Sequence, residues 1–357
     1  MSFYENPDLA ISVIKIFTLG FLGFIVAFLL TPSLTHFLYK HKLWRKKVRD
    51  KSLDGRKLPF FQKFHTEGET QTPRFGGILI WVTTLILAIL FFVLSKTDIW
   101  WFEKLNFLSR SQTWLPLLTL VVASLLGLAD DILQVFSKGK HIDGGLSLRY
   151  RLILVGFIGL IGAWWFFAKL GWQTIHIPGI GDFLIGAWYI PFFVFCMMAT
   201  YSGGVIDGLD GLSGGTFATI FGAFAIISLW RGQIDLAAFC AVISGTILAF
   251  LWFNIPPARF YMGETGMLGL CTSLTVVAFL TDSVLVLPII GFLLVIESGS
   301  VILQLLSKKF RHKKLFLAAP LHHHFEAKGW PSYKVTMRFW VIGVVMAFIG
   351  VAIRLLG

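Results

Sequence analysis

Charge is what this sequence has least of. Only 14% of its 357 residues are Asp, Glu, Lys or Arg, while 56% are apolar and 16% aromatic, a balance that no ordinary water-soluble domain carries. Cysteine is scarce as well. Cys196, Cys240 and Cys271 all fall inside apolar runs and show no metal-ligand spacing, which excludes a zinc ribbon and leaves buried thiols. The first apolar run follows Glu5 and Asp8 with no basic residue ahead of it, so a retained helix is expected rather than a cleaved signal peptide. Alternating ten-residue segments are also missing, which argues against a membrane barrel.

What the chain has instead is long apolar runs. A helix needs about 20 apolar residues to cross a hydrocarbon layer roughly 30 Å thick. Ten such stretches recur, near residues 11–32, 76–95, 115–132, 151–169, 183–200, 211–230, 235–253, 265–281, 285–307 and 338–356. The expectation is an all-α polytopic membrane protein of ten transmembrane helices, forming one unit over residues 1–357. The segments 40–74, 138–151 and 308–338 hold eleven, four and eight Lys and Arg residues, and with Arg259 they place 24 of the 31 on one side if the spans alternate. The bias of basic residues toward cytoplasmic loops makes that side the cytoplasm and turns both termini outward. Juxtamembrane charge facing anionic lipid accounts for these segments without nucleic acid.

Four of the cytoplasmic loops hold acidic or histidine residues that no neighbouring base explains. GLADD places Asp130 and Asp131 at the end of the third span. YSGGVIDGLDGLSGG, residues 201–215, holds Asp207 and Asp210 among glycines without a single Lys or Arg. WFNIPPARFYMGETG, residues 252–266, carries Glu264. Carboxylates gathered at one membrane face raise one another's pKa unless a cation compensates, and oxygen ligands suit Mg²⁺. The glycines let backbone N–H groups approach an anion near a helix start, so carboxylates and glycines together point to a diphosphate.

The fourth loop, APLHHHFEAKGW at 319–330, puts His322, His323 and His324 in a row. On a helix successive side chains point about 100° apart, so the three do not converge on one metal. Beside a diphosphate they would donate hydrogen bonds or carry partial charge; a solvated loop is the plainer alternative.

PLHHHFEAKGWP at 320–331, VIESGSVILQLL upstream and RFW after it resemble the signature of the phospho-N-acetylmuramoyl-pentapeptide transferase family, within the polyprenyl-phosphate N-acetylhexosamine-1-phosphate transferase superfamily. The Asp130–Asp131 pair, GLSLRY at 145–150, DGLDGL at 207–212 and the G-E-T-G element at 263–266 extend the resemblance over nearly the whole chain. It implies a multi-pass protein of the bacterial inner membrane, sometimes a homodimer. It also implies Mg²⁺-dependent transfer of phospho-N-acetylmuramoyl-pentapeptide from its UDP derivative to undecaprenyl phosphate, with release of UMP. Carried over position by position, it makes Asp207 and Glu264 metal ligands. Asp130 becomes the group that orients or deprotonates the attacking lipid phosphate, with Asp131 in the same network. Asp210 and Asn254 would face the uridine, Tyr261 would stack on uracil, and Lys138, His322, His323 and the catalytic His324 would meet phosphate.

Several positions depart from that family's pattern. Tyr201 and Gly204 stand where asparagine is usual, Glu264 replaces aspartate, Gln134 replaces lysine and Arg74 replaces threonine. Arg74 before a double glycine looks more like the superfamily's N-acetylglucosamine-1-phosphate transferases, an alternative donor. A secondary transporter is the alternative of another class, given ten spans and the intramembrane Glu297. Glu297 is expected to hydrogen-bond a break in the ninth span near Gly299.

Overall fold

The computed structural model describes residues 7–45, 70–136 and 145–357. Long helices stand where each apolar run was expected: α1 (Pro7–Lys40), α2 (Ile78–Leu94), α4 (Trp114–Val135), α5 (Leu148–Trp164), α6 (Tyr189–Ser202), α7 (Leu212–Trp230), α8 (Ile234–Asn254), α9 (Gly263–Leu280), α11 (Phe292–Arg311) and α13 (Ser332–Leu356). Short helices α3 (Trp100–Leu105), α10 (Leu287–Ile290) and α12 (Leu321–Ala327) lie between them. Eight of the described helices are long and apolar enough to cross a membrane. The two expected spans outside that set are α2, which has 17 residues, and α11, which carries Glu297 inside and Lys308, Lys309 and Arg311 in its last turn.

The all-α expectation needs one correction. Between α5 and α6, β1 (Thr174–Ile177) and β2 (Gly181–Leu184) form an antiparallel hairpin in the register Thr174↔Leu184. Its β-branched first strand leads into Pro178-Gly179, which turns the chain.

Helix α9 is the axis of the bundle, because every one of its 18 residues except Glu264 is buried. A helix apolar on all sides belongs inside. It reaches α4 through small residues: a side chain at Gly269 would strike Ser124 and Leu120, and one at Gly127 would strike the backbone of Glu264 and Thr265. Small residues let helices in lipid gain dispersion contact where the hydrophobic effect offers nothing between them. Several buried hydroxyls turn back onto their own helices, as Thr272 does to Leu268 O (2.7 Å) and Thr84 to Ile80 O (2.8 Å).

The break predicted near Gly299 is absent, and the ninth span, expected over 285–307, is interrupted instead at Gly291, between α10 and α11. Helix α11 runs unbroken, and its buried Glu297, Ser300, Gln304 and Ser307 make a polar seam at spacings of three, four and three residues. Gln304 accepts the N–H groups of Leu315 and Phe316 (both 2.9 Å) and donates to Phe316 O (3.0 Å), and Ser307 donates to Lys313 O (3.0 Å). The seam thus holds the segment that leads into the histidines.

Candidate active site

The four loops singled out in the sequence meet at one end of the bundle. Segment 72–77 zips onto 261–262: Gly76 N–H donates to Tyr261 O (2.8 Å), Gly77 N–H to Met262 O (2.9 Å), and Tyr261 N–H to Pro73 O (2.8 Å). Gly263 then turns the chain into α9 with φ +71°, a conformation that favours glycine, and a Cβ there would press on the Asp131 carboxylate.

Asp131 accepts the N–H groups of Glu264 (3.1 Å) and Thr265 (2.9 Å) and the Thr265 hydroxyl (2.8 Å). This fully buried residue of α4 therefore caps the N-terminus of α9, where orphan N–H groups and the helix dipole favour an anion. Arg74 lies 4.0 Å from the same carboxylate. Asp131 was expected in the reacting network; its oxygens are instead engaged in holding α9.

Asp130 is also buried, at 2% exposure, and accepts from Leu146 N–H (2.5 Å), Gln134 Nε2 (2.8 Å) and Arg151 Nη2 (2.8 Å). A carboxylate so enclosed positions Arg151. Gln134 passes the link on, since its Oε1 accepts from Arg45. Arg151 is the residue sequence reasoning missed: it bridges Asp130 to Glu264, donating to Glu264 Oε1 through Nη1, while Tyr201 Oη donates to Glu264 Oε2 at 3.2 Å. Its signal was a basic residue at the head of an apolar span, counted only as loop charge.

Asp207 follows α6 and its short 3₁₀ extension, and its Oδ1 accepts the Ser213 hydroxyl (2.7 Å). Burial pushes the Asp207 carboxyl above the usual range; Ser213, Arg74 and the Gly263 amide pull it down, and the nearby Glu264 charge pushes it up again. Asp210 accepts Ala258 N–H (3.1 Å). Asn254 is buried, and its amide accepts Gly211 N–H (2.9 Å) and donates to Phe260 O (2.8 Å), so it clasps two loops together. Tyr261 is half-buried.

The three histidines go three ways, as helical geometry required. His322 is completely buried, with its N–H (3.2 Å) and Nδ1 (2.9 Å) on the two oxygens of buried Glu297. Its ring fills the space above Gly208, where it supports the Asp207 loop. His323 Nδ1 pairs with Glu326 (2.7 Å), and His324 Nδ1 accepts Leu317 N–H (3.1 Å). Burial and the Lys328 charge hold His324 below the ordinary imidazole pKa. Lys138 lies outside the described residues.

Asp207 and Glu264 fit a divalent cation. They sit within electrostatic reach of each other at the mouth of a site where four carboxylates, Asp130, Asp131, Asp207 and Glu264, meet two guanidinium groups, Arg74 and Arg151. No group of three or more His, Cys, Asp or Glu able to hold a metal occurs among the described residues. Mg²⁺ needs no such group, because it commonly keeps waters and takes one or two carboxylates with substrate phosphates.

Residues 113–282 match the family described as glycosyl transferase family 4. The chain is 36% identical over 312 residues to the phospho-N-acetylmuramoyl-pentapeptide-transferase of Geobacillus sp. (strain WCH70), covering 84% of this chain and 90% of that one. It is 34% identical over 343 residues to the protein of the same name from Lactiplantibacillus plantarum, covering 92% and 95%. With the Anoxybacillus flavithermus protein of that name it shares 33% over 348 residues, covering 95% and 97%.

Proposed function

The chain belongs to the phospho-N-acetylmuramoyl-pentapeptide-transferase family, and on that premise we propose that it transfers phospho-N-acetylmuramoyl-pentapeptide from its UDP derivative to undecaprenyl phosphate, releasing UMP. The observation that carries the reading is the meeting of the Asp207 loop, the Glu264 turn, Arg74 and Arg151 at one end of an apolar bundle. A lipid phosphate and a soluble nucleotide can meet only at such an edge. Eight helices able to cross a membrane put the protein in a bilayer as a multi-pass protein; we place it in the bacterial inner membrane with the site toward the cytoplasm.

Two anionic phosphates repel, so the site must offset their charge and the charge that develops between them. Asp207 and Glu264 would hold Mg²⁺, which supplies that offset when bound. Arg151 and Arg74 add fixed positive charge that costs no reorganisation. Asp130 orients Arg151, and Asp131 fixes the start of α9 beneath Glu264. Tyr261 and Asp210 line the approach for the uridine, and His323 and His324, on the open side of α12, reach toward the diphosphate. His322 and Glu297 brace the Asp207 loop from below.

The test is UMP release by the purified protein in lipid nanodiscs. Turnover is expected with UDP-N-acetylmuramoyl-pentapeptide only when undecaprenyl phosphate and Mg²⁺ are both present. Turnover of UDP-N-acetylglucosamine with none of the pentapeptide donor would overturn the assigned donor, and substrate movement without UMP would return the transporter reading.

A further inference from the structure

Glu264 is the one residue of α9 that is not buried, and it is one methylene longer than the aspartate usual in its family position. A longer side chain has another torsion to fix before its carboxylate can hold a metal in near-octahedral geometry. Two partners fix it here. Arg151 takes Oε1, and the Tyr201 hydroxyl takes Oε2 at 3.2 Å. The Tyr201 ring is buried in the last turn of α6, 7% exposed, so its phenol oxygen reaches Glu264 from a rigid base. Each carboxylate oxygen has two acceptor directions, so both remain open to a cation after Arg151 and Tyr201 have taken one each.

We propose that Tyr201 is a positioning residue for Glu264, its hydroxyl acting together with Arg151, which it also contacts, to hold the longer carboxylate in the single rotamer that faces Asp207. Two departures from the family pattern, 63 residues apart in the chain, are then one adaptation: the tyrosine makes the glutamate usable. An aspartate at position 264 ends short of the phenol and gains nothing from it. The inference rests on the assignment of Glu264 as a metal ligand and deepens it.

The experiment measures Mn²⁺ affinity by electron paramagnetic resonance on the purified full chain, for wild type, Tyr201→Phe, Glu264→Asp and the double variant. Tyr201→Phe keeps the buried ring and removes only the hydroxyl. Partners that orient a metal ligand commonly change affinity by about 10- to 100-fold when lost, and a loss of about tenfold is expected here. Glu264→Asp is expected to weaken Mn²⁺ as well, and the double variant to bind no more weakly than Glu264→Asp alone, since coupled residues are not additive. Wild-type Mn²⁺ affinity in Tyr201→Phe overturns the proposal. So does a loss in the double variant equal to the product of the single losses, or tighter binding by Glu264→Asp. UMP release by the wild-type protein is scored separately. Tyr201-dependent Mn²⁺ binding without UMP release would sink the proposed reaction and keep the positioning role, and the converse result would do the opposite.

Discussion

Replacing Asp131 by asparagine separates a helix cap from a reacting group. In the native structure this carboxylate receives two backbone N–H groups and one hydroxyl at the first turn of α9. Hydrogen bonds to a charged acceptor contribute about 1.5–3 kcal/mol each. Asparagine keeps one acceptor oxygen and turns an NH₂ toward N–H groups that cannot receive it. It also removes a charge that complements the helix dipole, worth about 0.3–1 kcal/mol. One lost charged bond and the dipole contribution together give about 2–4 kcal/mol. At about 1.3 °C per kcal/mol for a chain of 357 residues, the midpoint of thermal unfolding in detergent should fall by about 3–5 °C. Turnover is not the discriminating readout, because α9 carries Glu264 and slackening its first turn reaches the proposed metal ligands. An unchanged midpoint would refute the cap and return Asp131 to the chemistry.

Asp207→Asn should abolish UMP release and yet raise the unfolding midpoint of the metal-free protein. Burial raises the Asp207 pKa in the native state, so the native state holds a proton that the unfolded chain has released, and stability falls as pH rises through that window; calorimetry below and above it checks the sign. Arg151→Met leaves Asp130 and Glu264 without their shared partner and should cost about 3–5 kcal/mol, read by the same melt. Glu297→Leu strands two His322 groups at about 1–3 kcal/mol each, so a loss of about 2–6 kcal/mol is expected, and an unshifted melt would show that the pair braces nothing. His324, held below its ordinary pKa, is neutral at pH 7, so His324→Gln, which keeps a donor, should retain more turnover than His324→Ala.

Much of this was legible in the sequence because it depends on local composition. Apolar run length placed the long helices, and acidic or histidine residues without neighbouring bases marked the four loops that meet. What escaped was pairing at a distance. Arg151 is 113 residues from Glu264, Asp131 is 134 from Thr265, and Glu297 is 25 from His322; no periodicity records such contacts. Buried polar side chains look alike in a sequence whatever their partners, so nothing local showed that Asp130, Asp131 and Asn254 hydrogen-bond across segments. The departures were visible singly, as Gln134, Tyr201 and Glu264. Only the fold shows that all three end on the same Asp130–Arg151–Glu264 bridge.

The seam on α11 has a genetic consequence. Glu297, Ser300, Gln304 and Ser307 face inward and grip the chain that carries the histidines, while Val295, Ile302, Leu303, Leu306 and Phe310 are 45–71% exposed on the other side. A library of single replacements along this helix should therefore show tolerance rising and falling about every 3.6 positions. Silent changes would gather on the lipid side, and polar-to-apolar losses on the side of the grip.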